Sequence, residues 1–383
     1  MARVYEGGHF TIASNVPVDD QEWKAPEGLR ELSTWGRSQE DWFSALLTEG
    51  PLGLRAWCLQ ERHMSSRILH VFAGDTWIFE CQYKVRAATH QGLMFSYHCS
   101  DPSCGVSSWV KFRIYDGLSS RQLLQRWYVA VEDFSKRALS YEADKLPAIS
   151  GIAAKIQPLL CSDYLCGIWR EDLYGLIWHR DIKPLPTYSP LLPWAEVRRQ
   201  KIAKVPSSYR APSFSWASVE EKVRFLSLHH VGDPGGPSII YLASVRCLGI
   251  ISDKGDHLGR VQEGSYIKLS GRFWDPLEDT KVYLDFRPED ILVNAFYFII
   301  GVHFGGEFPN RYNVLIGLVL SLVDTRHQNY KRTGVFEFPL QKLECLKTAN
   351  SDAYAASGEK LSNKAEVAVL KRNLGPKKWV NIF

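Results

Sequence analysis

The sequence predicts an α+β protein in which a helical N-terminal half packs on an antiparallel β-sandwich or barrel in the C-terminal half. The chain has 383 residues, which is enough for two domains or for one large domain. Apolar residues recur at helical spacing between residues 119 and 180, whereas the hydrophobic period changes to two beyond residue 213. Short strand-like runs with turn-rich joints follow, a pattern that is typical of a sandwich or barrel.

Four segments follow from these changes of pattern. The first, 1–50, contains a short strand and a linker, and the second, 51–212, is helix-rich with a β-hairpin at 68–83. The third, 213–345, is the antiparallel β domain. The last, 346–383, is a polar tail that we expect to be ordered only in part.

The helices are predicted from the spacing of apolar residues. Brief helical patterns cover 39–48 and 54–64, and residues 84–118 are predicted to be irregular. Two further helices are expected over 144–156, with a proline in its first turn, and over 165–176. The strongest helix is predicted from one apolar face formed by Leu124, Trp127, Val131, Phe134 and Ala138.

Strands are predicted from alternation and turn signals. RILHVF and TWIFECQ, joined by Ala73-Gly74-Asp75, predict a hairpin. A short strand at 9–13 must pair its backbone groups, most simply with this hairpin. The strands expected beyond residue 213 are FSWASV, KVRFLSL, SIIYLASVRCLGII, SYIKLSGRF, KVYLDF, AFYFIIGVHF, NVLIGLVLSLV and TGVFEF.

Composition and charge exclude several classes of function. The net charge is only +4, and no run of Lys and Arg interleaves with aromatic residues, so we expect no nucleic-acid partner. The most apolar runs, 291–302 and 314–323, are about half as long as a membrane-spanning helix and predict buried strands instead. No signal peptide is recognised, so the eight cysteines are expected to be reduced thiols in the cytoplasm.

The spacing of cysteines does not predict a metal site. Cys99 and Cys104 form one pair and Cys161 and Cys166 a second, but structural zinc sites use closer spacing, and buried or idle thiols are the favoured interpretation. No Gly-x-Ser-x-Gly elbow is present, and two prolines interrupt the glycine-rich segment 232–237, removing amides that a phosphate cradle would use. We expect no metal and no cofactor.

Several charged residues lie within apolar patterns, and two interpretations of them remain open. They are either buried ion pairs, the more common use of such charges, or part of a polar pocket. A pocket would lie where 54–81 meets 209–218, because acids, guanidinium groups and rings together suit a largely apolar ligand. The candidates for this pocket are Glu61, Arg67, Glu80, Arg210 and Trp216. Arg137 and Asp144 are candidates for a structural polar network.

The segment YRAPSFSWASVEEKV, residues 209–223, is interpreted as a packing device. Pro212 stiffens its start, and alternation would place Phe214 and Trp216 on one side of a strand with the serines on the other. Arg210 could then reach a carboxylate such as Glu61 or Glu80. A ligand pocket lined by the same rings is the second interpretation.

The order of several blocks resembles the downstream region of fungal HET (heterokaryon incompatibility) domain proteins. The blocks are PLGLRAWCLQERHMSSRILHVFAGDTWIFECQ, WYVAVEDFSKRALSYEADKLPAISGIA, YLCGIWREDLYGLIW, YRAPSFSWASVEEKV and the closing strand YKRTGVFEF. MARVYEGGHFTIAS is similar to the last stretch of the HET domain itself. The resemblance spans nearly the whole chain, and the ordered series is more specific than any single block.

The resemblance also has a gap. No Ser-Tyr-x-Trp-Gly motif and no Trp-x-Asp-x-x-Cys-Ile block precede the first quoted block. The resemblance therefore implies that the HET core, which is similar to a TIR-type signalling fold, is missing, either naturally or through a truncated gene model. Residues 1–50 would then hold the end of that domain.

Two functions are compatible with this sequence. The first is a HET-related fungal protein without the effector core, which the resemblance links to heterokaryon incompatibility, non-self recognition and programmed cell death, with another fungal protein as its partner. The alternative is an accessory protein in fungal secondary-metabolite biosynthesis, either a cyclase- or isomerase-like enzyme or a scaffold that binds an apolar small molecule.

Overall fold

The computed structural model describes residues 2–15, 45–72, 76–81, 84–89, 92–98, 114, 117–182, 185–186, 206–226, 238–252, 255–277, 279–285, 295–305, 312–357 and 362–383. Both helices and strands occur, which confirms a mixed α+β protein, but the helices are scattered along the chain rather than concentrated in 119–180. The chain divides into two compact units, Met1–Cys161 and Ser162–Phe383. This division falls after Cys161, whereas the sequence predicted a change at 212/213.

The helices of the first unit are α1 (Ala2–Gly7), α2 (Ala56–Met64), α3 (Ser120–Ser135) and α4 (Ser150–Leu160). A capping box begins α3: the Ser119 hydroxyl accepts a hydrogen bond from the Gln122 amide, and the Gln122 side chain accepts one from the Ser119 amide. Of the five residues predicted for the apolar face, Trp127, Val131 and Phe134 are buried and Leu124 is half-buried. Ala138 is exposed and lies beyond the end of the helix, so the prediction is wrong for that residue.

The helix predicted over 144–156 is correct only in its second half. Short 3₁₀ turns, Glu142–Asp144 and Pro147–Ile149, precede α4. Pro147 has no amide hydrogen, and it lies at the first position of the second 3₁₀ turn, where no intrahelical bond from that amide is needed. The α-helix itself begins only at Ser150.

The strands of the first unit are β1 (Thr11–Ser14), β2 (Arg67–Phe72), β3 (Thr76–Cys81), β4 (Lys84–Thr89) and β5 (Gly92–His98), which form one sheet in that order. The predicted hairpin is confirmed by the antiparallel β2–β3 register. β1 pairs parallel with β2, which confirms that the N-terminal strand pairs with this hairpin. The prediction of irregular structure over 84–118 is wrong for β4 and β5.

The second unit begins with β6 (Tyr164–Leu165) and β7 (Ile168–Trp169), a 3₁₀ turn (Leu173–Leu176) and β8 (Trp178–Arg180). The helix predicted over 165–176 is therefore wrong. Cys166 and Gly167 connect β6 to β7, and both have positive φ, 51° and 101°. A two-residue turn with positive φ at both positions closes a tight hairpin, and it excludes the right-handed helix that the apolar spacing suggested.

A larger sheet dominates the second unit, and in the described residues it contains nine strands. They are β9 (Leu185–Pro186), β11 (Ser238–Tyr241), β12 (Ser244–Gly249), β13 (Tyr266–Trp274), β14 (Lys281–Leu284), β15 (Ala295–Gly305), β16 (Tyr312–Asp324), β17 (Asn329–Pro339) and β18 (Lys378–Ile382). A separate strand, β10 (Val223–Phe225), pairs with β8. The apolar runs at 291–302 and 314–323 lie largely in β15 and β16, as predicted.

Five of these strands form a closed circuit of hydrogen-bonded pairs. β13 pairs with β15, β15 with β16, β16 with β17, β17 with β18, and β18 with β13. A ring with an odd number of strands cannot be antiparallel throughout, since directions that alternate around it must meet a neighbour of the same direction once. The β17–β18 pair, Asn329↔Asn381 and Tyr330↔Ile382, is that parallel pair.

The polar tail predicted at 346–383 is wrong. Helices α5 (Glu344–Ser357) and α6 (Asn363–Asn373) lead into β18, which completes the circuit. Leu346, Val367 and Leu370 are buried in the same cluster as strand residues such as Phe336. A few apolar residues at helical spacing are sufficient to dock these helices, although charged residues surround them.

Helices that could span a membrane were also sought. In the described ranges, none is both long enough and apolar enough to do so.

Candidate functional site

The first polar cluster joins α2 to the hairpin of the first unit. Glu80 is fully buried, and both of its carboxylate oxygens accept hydrogen bonds from Arg62: Nε donates to Oε2 at 2.8 Å and Nη2 to Oε1 at 2.5 Å. His70 Nε2 lies 3.1 Å from Oε2. Arginine and carboxylate groups bind in this bidentate way when the geometry is favourable.

Electrostatics keep this cluster charged. Burial would raise the pKa of Glu80, but the charge and hydrogen bonds of Arg62, with a contribution from His70, outweigh it and hold the pKa well below its ordinary value. Burial in turn would lower the pKa of Arg62, and Glu80 reverses this. The cluster is therefore a salt bridge whose acid is already satisfied, rather than a general acid or base.

Arg62 and His70 were not among the sequence candidates. The signal that could have found His70 is the alternation of the hairpin, since His70 lies between Ile68 and Phe72 on the buried face of β2, as Glu80 follows Ile78 on β3. Neighbouring strands of a hairpin bring such residues close together.

Two of the candidates predicted from the sequence, Glu61 and Arg67, interact with other groups of the first unit. Glu61 lies near the Cys58 thiol, and burial together with the charge of Glu61 raises the pKa of that thiol to about 11. Arg67 is exposed, and its Nη1 donates to the backbone carbonyl of His9 at 3.4 Å. Neither residue contributes to the Arg62–Glu80 pair.

The proposed structural network around Arg137 involves a different acid. Arg137 Nη2 donates to Asp133 Oδ2 at 2.7 Å, and Lys136 Nζ lies 2.8 Å from Oδ1 of the same carboxylate. Burial would raise the pKa of Asp133, but these two cations lower it. Asp144 lies at the end of the 3₁₀ turn Glu142–Asp144. The acid bonded to Arg137 is thus Asp133, in the last turn of α3, and Arg137 lies just beyond the end of that helix.

The segment at 209–218 is not a strand. A 3₁₀ turn, Trp216–Ser218, replaces the predicted alternation, and Phe214, Ser215, Trp216 and Ala217 are all fully buried. Every residue from Arg210 to Ala217 is buried, so burial does not alternate along this segment. Predicting FSWASV as a strand was therefore wrong, because serine and alanine are small enough to be buried beside the rings.

The contacts of this segment are those of a packing device inside the second unit. Trp216 Nε1 donates to the Gly167 carbonyl at 2.9 Å, and the Ser215 hydroxyl donates to the Cys166 carbonyl. Arg210 Nε donates to the Ala217 carbonyl at 2.7 Å. The segment therefore holds the β6–β7 turn against its own 3₁₀ turn.

A second buried ion pair joins Arg332 on β17 to Asp285, the residue that follows β14. Arg332 Nη1 donates to Asp285 Oδ2 at 2.8 Å, Nη2 donates to the Trp178 carbonyl, and neither charged side chain is exposed. Arg332 also places its backbone amide 2.9 Å from the Ser213 hydroxyl, to which it donates. One residue thus connects three segments that are distant in sequence.

This pair is incompletely bonded. Asp285 Oδ1 and Arg332 Nε are buried, and neither has a hydrogen-bond partner in the described part of the chain. Burial raises the pKa of Asp285 to about 6 despite the opposing charge of Arg332, and burial lowers the pKa of Arg332 to about 10. Both charged groups therefore carry a desolvation cost, and the hydrogen bond between them offsets that cost only in part.

A neutral histidine lies close to this pair. The ring of His179 lies 4.4 Å from that of Tyr283, and its Nδ1 is 2.6 Å from the Arg180 carbonyl. Burial lowers the pKa of His179 to about 4. His179 is consequently uncharged at neutral pH and packs as a ring.

Metal ligands were sought as well. Within the described ranges, no group of three or more His, Cys, Asp or Glu side chains is arranged to hold an ion. Burial raises the pKa of Cys166 to about 12, so this thiol is inert, and Cys161 is exposed on its own. Cys99 and Cys104 lie outside the described residues, so the expectation of no metal stays a prediction.

The five pocket candidates fall in both units. Glu61, Arg67 and Glu80 lie in the first, whereas Arg210 and Trp216 lie in the second. Glu80 is bonded to Arg62, and Arg210 and Trp216 are bonded to backbone carbonyls of their own unit. A shared ligand pocket stays a prediction.

Comparison with known proteins gives no relative. No family model matches the chain, and neither the curated proteins nor the solved structures provide a significant match. The resemblance to HET proteins accordingly rests on the quoted sequence blocks alone.

Proposed function

We propose that this chain is a HET-related fungal protein that acts by binding another protein in non-self recognition, and that it is not a catalyst. The observation that carries this proposal is that the blocks of the resemblance contact one another through buried polar groups. If HET-related proteins share a structural scaffold, the sequence blocks that they have in common should contact one another in this way, because each buried polar group needs a particular partner.

In the first unit, the contacts join the block at 51–82 to the block at 127–153. The Gln60 side chain accepts a hydrogen bond from the Gly151 amide at 2.6 Å. The Ala138 amide donates to the Leu54 carbonyl at 2.7 Å, and the Ala56 amide donates to the Ala138 carbonyl at 2.9 Å. These bonds support a scaffold role for both blocks.

In the second unit, the contacts join three blocks. Trp178 Nε1 donates to the Phe214 carbonyl at 3.0 Å, which links the block at 164–178 to that at 209–223. Arg332, in the closing strand, donates to Trp178 and to Ser213. The polar residues of these blocks therefore serve the packing of the fold.

The state of the buried acids favours binding over catalysis. Glu80 accepts two bonds from Arg62 and is held ionised. Asp285 has a free oxygen, but its side chain is fully buried and no substrate can reach it in this conformation. A general acid or base must lie within hydrogen-bond reach of its substrate.

We also propose that the five-strand circuit of the second unit forms the barrel that the sequence predicts. The alternation of its strands supports this proposal. Ile267, Leu269 and Phe298 are buried and would face the interior of the barrel, and the residues that alternate with them on the same strands point outward.

One observation favours the alternative, a small-molecule role in secondary metabolism. Aromatic rings cluster at one end of the circuit, where the ring of Phe273 lies 5.9 Å from Phe296, 5.5 Å from Phe298 and 6.0 Å from Tyr330. Phe296 is about one-third exposed, with a relative accessibility of 36%. Exposed rings of this kind suit an apolar ligand.

The test is inducible expression of the full chain in a filamentous fungus that is then confronted with a genetically distinct strain. We expect an altered incompatibility reaction where the two strains meet. The Glu80→Ala variant, which loses the buried salt bridge and with it the fold of the first unit, should give no effect. An unchanged contact zone, with soluble and monodisperse protein in the cells, would contradict the proposal and leave the small-molecule alternative in front.

A further inference from the structure

A basic and aromatic surface lies on three neighbouring strands of the second unit. We call it the Trp379 surface, and it consists of Arg246 on β12, Lys268 on β13 and Trp379 on β18. Trp379 is 45% exposed, although it is large and apolar. The guanidinium carbon of Arg246 lies 4.7 Å from the centroid of the Trp379 ring, and Lys268 Nζ lies 5.7 Å from it. These are cation–π distances.

The sheet register builds this surface. Ser270 pairs with Trp379, and Lys268 lies two residues from Ser270 on the same face of β13. Val245 pairs with Leu269 and Cys247 with Lys268, so Arg246 is the additional residue of a β-bulge. Bulges change the direction of a side chain and are common beside functional sites. Here the bulge aims Arg246 across β13 at the indole.

The charge of the surface is uncompensated. The sequences of β12, β13 and β18 contain no aspartate or glutamate. Arg246 and Lys268 have no carboxylate partner among the described residues, whereas Lys281 on β14 is paired with Glu337. Lys378, next to Trp379 on β18, points to the opposite face of the sheet, where its Nζ lies 5.7 Å from the ring of Phe273. Unpaired charges of one sign produce a local positive potential that attracts anions.

We propose that the Trp379 surface binds single-stranded nucleic acid. Phosphates would neutralise Arg246 and Lys268, and unpaired bases would stack on the exposed indole, which is the combination that single-strand-binding surfaces use. A duplex has no free base faces to offer, and an acidic peptide would use the cations without the ring. This inference goes beyond the proposed function and does not depend on it.

Sequence inspection predicted no nucleic-acid partner because no basic run interleaves with aromatic residues. In the Trp379 surface the basic and aromatic residues are far apart in sequence, and residues 246, 268 and 379 come together only through strand pairing. A binding surface of this kind cannot be recognised from a run of consecutive residues.

The experiment measures binding of the full chain to a fluorescent oligothymidylate of about 20 nucleotides, which exceeds the roughly 4–16 nucleotides that a small single-strand-binding barrel covers. We expect the logarithm of the association constant to fall with the logarithm of salt concentration with a slope of about −1.4, because each of the two phosphate contacts contributes roughly 0.7 for single strands. The intrinsic fluorescence of Trp379 should be quenched on binding.

The variants localise the binding. Trp379→Ala should weaken it by about tenfold, given the usual contribution of one stacked base, and Lys268→Glu should weaken it and reduce the salt slope. The matched control is Lys371→Glu, the same charge change at an exposed position of α6, which should leave the affinity unchanged. Trp379→Phe keeps a ring and should retain most of the affinity, and thermal melting checks that each variant is folded.

Three outcomes would overturn the proposal. One is no binding at about 50 mM salt, where phosphate contacts are strong. Another is equal weakening by Lys371→Glu and Lys268→Glu, which would indicate non-specific attraction. The third is competition by polyglutamate as effective as competition by unlabelled oligothymidylate, which would instead assign the surface to an acidic protein segment.

Discussion

The guanidinium carbon of Arg332 lies 3.4 Å from the centroid of the Trp178 ring, and the same guanidinium donates to Asp285. The cation therefore lies between a π face and a carboxylate, with no exposure to solvent. Because a buried charge of this kind is costly unless every contact is made, this part of the second unit is where its stability should depend most strongly on pH.

Asp285 and His179 should change stability with pH in opposite directions. Burial raises the pKa of Asp285 to about 6 from its ordinary 3.8, so its stabilising contribution is present below pH 3.8 and is lost as pH rises through 6. Burial lowers the pKa of His179 to about 4 from 6.5, so its contribution is present above pH 6.5 and is lost as pH falls through 4. Each effect is on the order of 3 kcal/mol at most.

Single variants should separate the contributions of Asp285 and His179 to the pH dependence of stability. In His179→Gln the free energy of unfolding should fall as pH rises from 4 to 6, and in Asp285→Asn it should rise over the same range. Urea unfolding at a series of pH values measures both. Parallel pH profiles for the two variants would show that these groups do not control the titration.

Glu80→Gln should destabilise the first unit by about 3–5 kcal/mol, because it leaves Arg62 buried without its counter-charge. The matched control is Glu6→Gln, which removes the acid of the more exposed Glu6–Lys155 pair and should cost less than about 1 kcal/mol. Chemical denaturation followed by circular dichroism gives both values. Equal melting of wild type and Glu80→Gln would show that the salt bridge contributes little.

Gly167→Ala should destabilise the second unit by roughly 2–4 kcal/mol, from backbone strain together with a steric clash. Gly167 has a φ of 101°, and an added Cβ would lie 2.4 Å from Trp216 Nε1. Gly255→Ala is the control, since Gly255 also has a positive φ but its Cβ would meet no atom within 4 Å. Similar losses in the two variants would mean that the Trp216 contact is not the constraint.

Val380→Asp should abolish cooperative unfolding of the second unit, because Val380 is fully buried on β18 and an unpaired charge there would open the strand circuit. Lys377→Asp, at an exposed neighbouring position, should leave the melting temperature nearly unchanged. Calorimetry and dye binding to exposed apolar surface report the outcome. A cooperative transition in Val380→Asp would indicate that β18 is dispensable.

Local patterns in the sequence were sufficient for several elements. Alternating residues on both sides of Ala73-Gly74-Asp75 predicted the β2–β3 hairpin, and the unpaired groups at 9–13 predicted that β1 would join it. Helical spacing around Trp127 predicted most of α3. These predictions succeeded because the conformation of each element depends on residues that are close together in sequence, namely its periodic apolar residues and the turn residues beside it.

The candidate site was predicted only in part. Burial of Glu80 followed from the alternation of its strand, but its partner, Arg62, lies on a helix 18 residues away in sequence. Periodicity gives the side of an element that faces inward, and it does not give which helix covers that side. Arg137 was likewise predicted to belong to a polar network, but its acid, Asp133, was not among the candidates.

The sequence by itself determined the β2–β3 hairpin and most of α3, where the hydrophobic period and the turn signals agree with each other. Only the tertiary structure decided how other segments are used. The positive φ of Cys166 and Gly167 converted an expected helix into a hairpin, and the parallel pairing of β17 with β18 brought a polar C-terminal segment into the sheet. Both outcomes depend on contacts between residues far apart in sequence, such as Trp216 on Gly167, whose energies no local pattern contains.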